Sequence, residues 1–354
     1  MSITALAIRN LRNIAEISIE PGPRFNLIFG SNGSGKTSLL EAIYLLGRGR
    51  SFRSVYSNRI IRHGEESLTV FGKSTTQQFN NNLGIQIKDF KFKAKLNGQF
   101  LKKSSDLALV VPLLLITPDG DKLIKGSPRQ RRRFMDWGLF HVEHKFLEVW
   151  QRYNRVLAHR NAALRQSRAY LAPWNLQLIE VAEEVHKYRL NYALELSVSA
   201  QNCFSELADI NSAVFKYQSG WNKDQTFSES LNFNIENDIK AGFTQKGPHR
   251  ADLVMQIAGK SATEYLSGGQ MKLAASALFL AQARLYLSKL NTPCVLLVDD
   301  LPAELDIAHR KALLDILYAT SGQVFITTTE LSAVDLSDYN ETRTFHVEQG
   351  CLVL

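Results

Sequence analysis

Hydrophobic and polar residues alternate along the first third of the chain. Residues 3–8 and 14–19 show this pattern, and so do the segments LTVFG, LGIQI and FKFKAKL. A period of two is typical of half-buried strands. We therefore predict two N-terminal strands and an antiparallel patch, in which Asn97 and Gly98 supply the turn after the last segment.

From about residue 143 the apolar side chains recur every three or four residues. One stripe runs from Phe146 to Leu164, and a second, after Pro173, runs from Leu178 to Leu207. This spacing predicts two long amphipathic helices, and the short connection between them favours an antiparallel pair. Their aromatic residues are interpreted as packing.

After about residue 248 strands and helices alternate again. We expect a strand near 253–257, a helix over 270–290, the strand CVLLV, a helix from His309 and the strand VFIT. The pattern predicts an α/β framework with a mainly helical insertion. We divide it into an N-terminal half over 1–120, an inserted domain over 121–240 and a C-terminal half over 241–354.

A glycine-rich stretch, FGSNGSGKTS, lies between an apolar strand at residues 25–29 and a helical repeat that starts near Leu39. It matches GxxxxGK[ST], in which backbone N–H groups converge on nucleotide phosphates at the start of a helix. Lys36 would bridge the β and γ phosphates, and Thr37 would ligate Mg²⁺. The competing interpretation is a glycine-rich turn without a ligand. The predicted nucleotide-binding residues are Gly30, Ser31, Asn32, Gly33, Ser34, Gly35, Lys36 and Thr37.

Two adjacent carboxylates follow the apolar run CVLLV. Magnesium bound beside a phosphate loop needs a carboxylate at the end of a neighbouring parallel strand. Asp299 is the predicted magnesium ligand, and Asp300 is predicted to polarise the attacking water. The alternative is that the two acids cap a loop.

The segment LSGGQ precedes the helix predicted over 270–290. Ser267 is placed to cap that helix, and two glycines leave backbone donors bare, so a second anion site is available. The phosphate loop, LSGGQ and the DD pair, in this order, resemble the ABC ATPase superfamily. In that superfamily the signature reaches the γ-phosphate held by another subunit. The resemblance implies an ATP-dependent homodimer, with Ser267, Gly268, Gly269 and Gln270 acting on the partner's nucleotide and Ser267 contributing to catalysis.

Within the superfamily the chain resembles the SMC-like DNA repair ATPases. The resemblance is carried by IRNLRNIAEISIEPGPRFNLIFGSNGSGKTSLLEAIYLLGRGRSFR, LLLITPDGDKLIKGSPRQRRRFMDWGLF, GPHRADL and VDDLPAELD. It implies an ATPase head with a mixed central sheet, an antiparallel β subdomain and an inserted helical domain. It also places Arg12, in LRN, near the nucleotide.

The same resemblance implies a function in recombinational repair, replication restart and the SOS response. The expected protein binds gapped, duplex or single-stranded DNA, hydrolyses ATP weakly and in a DNA-dependent way, and helps to place RecA recombinase with a RecR-like partner. A transporter ATPase is the first alternative, although the glutamine and histidine of such subunits are missing and Asp300 stands where they carry Glu. The second alternative is a nucleotide-binding scaffold that never touches DNA.

Basic residues outnumber acidic ones by 42 to 34, which gives a net charge of +8. Residues 122–168 hold twelve basic and three acidic residues, and the run GSPRQRRRF is its densest part. Clustered positive charge is the footprint of a polyanion, although arginines also pair with internal acids or solvate helix faces. His249 and Arg250 are weaker candidates for DNA or phosphate contacts. The DNA-binding candidates are Arg129, Arg131, Arg132 and Arg133.

Composition sets two further expectations. No apolar run reaches the roughly 18 residues that cross a bilayer, and we find no secretory signal at the N-terminus, so we expect a cytoplasmic protein without a membrane partner. Cys203, Cys294 and Cys351 have no metal or redox spacing, and we expect inert thiols.

Overall fold

The structure is a computed structural model, and it describes residues 1–54, 56–75, 79–208, 213–301, 305–320 and 322–353. The chain forms two units. Unit 1 comprises Met1–Gly120 and Tyr286–Leu354, and unit 2 is Asp121–Leu285. Unit 2 begins where the predicted insertion begins, but it continues past the predicted boundary at 240.

The strands, in chain order, are β1 (Ser2–Leu11), β2 (Ile14–Ile19), β3 (Phe25–Phe29), β4 (Ser67–Thr75), β5 (Asn80–Lys88), β6 (Lys91–Leu96), β7 (Gln99–Phe100), β8 (Leu113–Ile116), β9 (Ala213–Gln218), β10 (Asp252–Ile257), β11 (Lys260–Ser261), β12 (Val295–Val298), β13 (Gln323–Thr328), β14 (Arg343–Glu348) and β15 (Cys351–Val353).

The helices are α1 (Lys36–Arg48), α2 (Ser105–Val110), α3 (Lys122–Lys125), α4 (Pro128–Val142), α5 (Phe146–Gln166), α6 (Leu171–Ala208), α7 (Phe227–Phe233), α8 (Ile235–Ala241), α9 (Ala262–Tyr265), α10 (Gly268–Leu290) and α11 (Ile307–Thr320). Short 3-10 turns occur at Ser57–Ile60, Pro118–Asp121, Arg168–Tyr170, Pro248–Arg250 and Leu331–Ala333.

The central sheet of unit 1 has the order β15-β14-β3-β13-β12-β8. Its strands are parallel except for β15, which pairs antiparallel with β14. Every residue of β12 and β13 is buried, as expected for strands that are covered on both faces. Because parallel strands end at the same edge, the segments after β3, β12 and β13 meet there. This arrangement confirms the predicted mixed sheet.

The second sheet of unit 1 is antiparallel and has the order β2-β1-β4-β5-β6-β7. It contains both predicted N-terminal strands and the predicted antiparallel patch. Asn97 and Gly98 both have positive φ angles, 51° and 85°, and join β6 to β7 in a tight hairpin. Helix α1 contributes Leu39, Ile43 and other apolar residues to the core shared with this sheet.

Unit 2 contains the two predicted long helices, α5 and α6. Arg160 contacts Asn175, Arg152 contacts Glu180, and the Arg189 guanidinium lies over the Trp150 ring. From one contact to the next the residue number falls on α5, from 160 to 152 to 150, while it rises on α6, from 175 to 180 to 189. The helices are therefore antiparallel, as predicted. The stripe residues on their facing sides are buried.

The rest of unit 2 includes a three-stranded antiparallel sheet, β11-β10-β9, and several short helices. Strand β10 lies at the predicted position, but β9, α7 and α8 were not predicted from the sequence. Helices α5 and α6 also each bury an arginine completely, Arg160 and Arg189. Each is paired with an aspartate, Asp238 and Asp136 respectively, because a buried charge is costly unless it is neutralised.

Candidate phosphate site and basic surface

The glycine-rich loop connects the end of β3 to the start of α1. Gly30 adopts a φ of 150°, and a Cβ atom there would lie 2.1 Å from the carbonyl oxygen of Val347 on the neighbouring strand β14. Only glycine fits between the two strands at this position. The loop then delivers Lys36 as the first residue of α1, where the free N–H groups of the helix point outward.

The Lys36 side chain folds back across the loop. Its Nζ donates to the carbonyl oxygens of Gly30 at 2.7 Å and Ser31 at 2.9 Å. Burial lowers the pKa of Lys36, while the nearby charges of Asp300 and Asp299 oppose that shift. A lysine held in this way is a fixed positive charge beside the loop.

The Asp299 side chain stands opposite the start of α1. Its Oδ1 accepts hydrogen bonds from the Thr37 hydroxyl at 3.0 Å and from the Thr327 hydroxyl at 2.8 Å. Burial raises the pKa of Asp299, and the two hydroxyl bonds work against that rise. Thr37 and Asp299, which lie 262 residues apart in the chain, are therefore direct neighbours.

Asp300 follows in a left-handed conformation, with a φ of 54°. Its backbone N–H donates to the Thr327 hydroxyl at 2.7 Å. Thr327 thus contacts both acids, by donating to Asp299 and accepting from Asp300. In the sequence, Thr327 marks only the absence of a transporter histidine, although its place at the end of a central parallel strand is a usable signal.

A cavity of about 590 Å³ opens between these groups. Residues of the phosphate loop, both aspartates, Thr327 and Pro118 line it, as do three residues from elsewhere in unit 1, Arg12, Asn13 and Arg53. Asn13 was not predicted. Its Nδ2 donates to the Gly33 carbonyl at 3.0 Å, and its Oδ1 accepts from the Ser38 hydroxyl at 3.0 Å, so it fixes the loop to α1.

Arg12 reaches this cavity, but its guanidinium is already engaged. It makes a bidentate ion pair with Glu41, with distances of 2.9 and 3.0 Å, and Glu41 is fully buried. Arg12 also donates to the Arg59 carbonyl, and Ser51 donates to Glu41. The contacts give Arg12 a structural role beside the loop.

The donor set suits Mg²⁺ and a triphosphate. Thr37 and Asp299 present a hydroxyl and a carboxylate, which are the hard oxygen ligands that Mg²⁺ prefers. Magnesium is commonly held by one or two carboxylates together with substrate phosphates. Accordingly, a cage of three or more His, Cys, Asp or Glu is not needed, and the described part of the chain contains none.

The signature segment begins α10 in unit 2. Ser267 Oγ accepts from the Gln270 backbone N–H at 3.3 Å, and Gln270 Oε1 accepts from the Ser267 N–H at 3.0 Å. The two residues thus form a reciprocal cap. Ser267, Gly268 and Gly269 are exposed, and the backbone N–H groups of the two glycines lie in the first turn of α10, where the helix itself supplies no acceptor.

The arginine run lies on α4, a helix that was not predicted from the sequence, and its members do not share a face. Arg131 is only 9% exposed, and it makes a bidentate ion pair with Asp252 at 2.7 and 2.9 Å. It also donates to three backbone carbonyls. The assignment of Arg131 as a DNA-binding candidate is therefore corrected: the residue is an internal structural cation.

The other three arginines differ in exposure. Arg132 is half-buried and donates to the Ala251 carbonyl at 2.7 Å. Arg129 and Arg133 are exposed. They lie four residues apart and so point to the same side of α4. These two keep the position that a phosphate contact requires.

The GPHR segment separates its two candidates. The His249 ring lies 2.6 Å from the Tyr153 hydroxyl at Nδ1 and 3.0 Å from the Thr244 carbonyl at Nε2, and burial lowers its pKa to about 4. This is a packing role for a neutral ring. Arg250 is exposed. Of the VDDLPAELD segment, residues 302–304 lie outside the described residues.

Comparison with known families assigns almost the whole chain to one family. The model of the RecF/RecN/SMC N terminal domain family matches residues 2–352. The DNA replication and repair protein RecF of Pseudomonas putida F1 is 40% identical over an alignment of 357 positions, which covers 99% of this chain and 97% of that protein. RecF of Pseudomonas aeruginosa UCBPP-PA14 is 41% identical over an alignment of 359 positions, with the same coverage.

Solved structures agree. The recombination mediator protein RecF of the RecFOR pathway, as RecF-ATPrS, superposes with a TM-score of 0.86 at 26% identity over 99% of this chain and 97% of that one. An Smc head bound to the C-winged helix domain of ScpA gives a TM-score of 0.62 at 18% identity, covering 99% and 96%. It supports the fold alone. In the described residues, each helix is too short or too polar to span a bilayer.

Proposed function

Because this chain belongs to the RecF family of SMC-like ABC ATPases, we propose that it is an ATP-dependent DNA-binding protein of recombinational repair and replication restart. The observation that carries the proposal is the cavity in which the phosphate loop faces Asp299, Asp300 and Thr327. ATP is the proposed ligand, since solved RecF structures are described with ATP or ATPrS.

The roles of the residues follow from their positions. Backbone N–H groups from Gly30 to Thr37 would hold the phosphates, and Lys36 would neutralise their charge. Thr37 and Asp299 would hold Mg²⁺, which supplies further charge neutralisation when bound. The Thr327 hydroxyl holds Asp299 in orientation.

Asp300 is the proposed residue that orients the attacking water. Its backbone is fixed by the bond to Thr327, and its side chain lines the cavity. Aspartate is one methylene shorter than the glutamate found at this position in transporter ATPases, so its carboxylate reaches less far. We therefore propose weak hydrolysis that serves as a switch. Stimulation by DNA is a separate part of the proposal, and it rests on the resemblance to the SMC-like DNA repair ATPases.

ATP is proposed to close a head-to-tail homodimer in which Ser267–Gln270 of one copy reaches the nucleotide of the other. The glycines support this. Gly268 and Gly269 lack the left-handed backbone that favours glycine, and a Cβ atom at either would meet nothing within 4 Å. Their own chain does not require glycine there, whereas close approach of a phosphate to the backbone does.

DNA is the proposed polyanion, with Arg129 and Arg133 as candidate phosphate contacts and Arg132 as a partial one. A mediator of the RecR type is the proposed protein partner, since the solved RecF structures are described within the RecFOR pathway. Together they would mark gapped DNA, help to load RecA and support the SOS response. Family membership sets aside the transporter ATPase, and a scaffold that never touches DNA stays the competing hypothesis.

Sizing by light scattering tests this function. With a non-hydrolysable ATP analogue and Mg²⁺ we expect the monomer mass to double, whereas ADP or no nucleotide leaves monomers. Addition of gapped DNA is expected to give a complex with the dimer. Monomers in all nucleotide states would contradict the dimer, and failure to bind gapped, duplex or single-stranded DNA would favour the scaffold.

A further inference from the structure

Unit 2 contains a second cavity, of about 950 Å³. Its walls come from helix α6, strand β9 and the loops around residues 219–226 and 246–250. The volume of the cavity is near the upper end of the roughly 300–1,000 Å³ that is typical of ligand pockets. All of its lining residues belong to unit 2, so it is distinct from the phosphate site in unit 1.

Four rings form a continuous wall of this cavity. The His186 ring lies 5.6 Å from that of Tyr217, stacked, and 4.8 Å from that of Trp221, tilted. The Trp221 ring in turn lies 5.0 Å from Phe227. His186 Nδ1 is buried and has no hydrogen-bond partner among the described residues. Aromatic walls of this kind offer flat faces to a planar ligand.

The wall is held by the backbone. Gly220, next to Trp221, has a φ of 94°, and a Cβ atom there would lie 2.3 Å from the Gly247 carbonyl oxygen. The two loops therefore touch backbone to backbone, and the Gly247 N–H donates to the Gly220 carbonyl. Thr226 and Glu229 close the start of α7 with a capping box. The cavity is thus preformed.

Positive charge surrounds the cavity. Lys216, Lys223, Lys246 and Arg250 line it and are exposed, and Glu183 is the single acidic residue in the lining. Four cations against one anion indicate a ligand that carries negative charge. The combination of a planar apolar face and phosphate-binding cations is the chemistry of a nucleotide.

We propose that this cavity binds an unpaired nucleotide of a DNA strand, with its base against Trp221 and His186 and its flanking phosphates beside the lysines. A paired base has both faces covered by its neighbours in the stack, so the ring wall selects for single strands. The inference rests on the proposed DNA function but not on the ATP site. It would let unit 2 distinguish the open strand of a gap from intact duplex.

Trp221→Ala and Trp221→Phe test the ring wall. Fluorescence anisotropy with an ATP analogue would compare a duplex that carries a single-stranded extension with a blunt duplex. Trp221→Ala removes one base stack, so it should bind the extended DNA about tenfold more weakly than the wild type does. Its affinity for blunt duplex should change little. Trp221→Phe keeps a ring and should stay close to the wild type. Equal weakening on both DNAs, or none on the extended one, would overturn the proposal.

Lys216→Gln combined with Lys246→Gln tests the charges, with exposed Lys187→Gln on α6 as the matched control. For oligo-dT, the slope of log affinity against log salt should fall by about 1.4 in the double variant, since each phosphate contact on a single strand contributes about 0.7. The control should keep the wild-type slope. An unchanged slope in the double variant would count against the site.

Free dTMP separates a strand from a mononucleotide. Oligo-dT should quench the fluorescence of Trp221, which Trp221→Phe removes, at concentrations where dTMP does not. Quenching by dTMP but not by oligo-dT would overturn the strand proposal. If the wild type bound neither DNA in the anisotropy assay, the proposed function would fail; if it bound both and only the Trp221 effect were missing, this inference alone would fail.

Discussion

The phosphate loop and the arginine run on α4 both stand out in the sequence as short clusters of similar residues. In the folded protein the loop residues line one cavity, whereas the arginines point in different directions. Residues 30–37 stay together because the loop must turn between β3 and α1. On α4 each residue turns about 100° from the last, so Arg131 points inward to Asp252 while Arg129 and Arg133 face outward.

This difference indicates which kind of sequence motif can locate a binding site. A loop motif specifies a backbone path, and the groups that bind the ligand belong to that path. A charge cluster on a helix specifies side chains only, and the fold decides which of them face solvent. The contrast leads to four predictions.

The largest effect is expected for Arg131→Ala. Removal of the guanidinium leaves Asp252 buried without its partner, which should cost about 3–5 kcal/mol of unfolding free energy. Urea denaturation measures this loss. Arg129→Ala on the same helix is the control and should stay within about 0.5 kcal/mol of the wild type. Equal stability of the two variants would mean that Arg131 is not the internal cation described above.

Lys36→Ala should weaken ATP binding by at least about 100-fold, since it removes a charged, desolvated phosphate contact. Lys36→Arg keeps the charge but misplaces it, so some binding should survive while turnover is lost. Isothermal titration calorimetry measures the affinity, with Lys91→Ala on the exposed face of β6 as the control. Full ATP affinity in Lys36→Ala would place the nucleotide elsewhere.

His249 should make the protein acid-sensitive. Its pKa is about 4 in the folded protein and near 6.5 when unfolded, so the unfolded chain binds the proton first. Stability is therefore complete above about pH 6.5 and falls by up to about 3 kcal/mol as the pH drops toward 4. Urea titrations across this range should show a smaller fall for His249→Gln. An identical fall would assign the acid sensitivity to other groups.

The smallest energetic effect is expected at the outward arginines. Arg129→Gln with Arg133→Gln should cost less than about 1 kcal/mol of stability, as expected for exposed side chains, and reduce the salt slope of duplex binding by about 0.9 for each DNA phosphate that is no longer neutralised. Filter binding at several salt concentrations measures the slope. An exposed residue on the same helix, Gln130→Ala, provides the control. A slope that did not move would remove α4 from the DNA surface.

Much of the fold could be predicted because the spacing of hydrophobic residues along the chain indicates which face of a strand or helix is buried. The strands at β1–β6, β10, β12 and β13 and the pair α5 and α6 follow from it. Strands β14 and β15 did not, because Val347 is the single buried residue of RTFHVE and CLV has none, so neither segment shows a buried face. Yet β14 determines why Gly30 must be glycine, since its Val347 carbonyl occupies the place of a side chain.

The same limit applies to the site. Thr37 and Asp299 could be predicted, since each belongs to a motif with a known partner. The role of Asn13 and the pairing of Arg12 with Glu41 could not, because each depends on a contact with a residue far away in the chain. Thr327 could have been found from its place at the end of β13, but its bond to Asp299 could not. The sequence reports local geometry well, but only the fold shows which distant hydroxyl or acid completes it.

Composite pockets are the central claim, and mixing two inactive variants tests them most directly. Lys36→Ala destroys the phosphate loop, and Ser267→Arg destroys the signature. If each pocket joins the loop of one copy to the signature of the other, a mixed dimer holds one intact pocket out of two. ATPase activity that neither variant has alone should then return in the mixture, to about a quarter of the wild-type value when the subunits pair at random. If the pockets lay within single chains, the mixture would stay inactive, and that result would contradict the account.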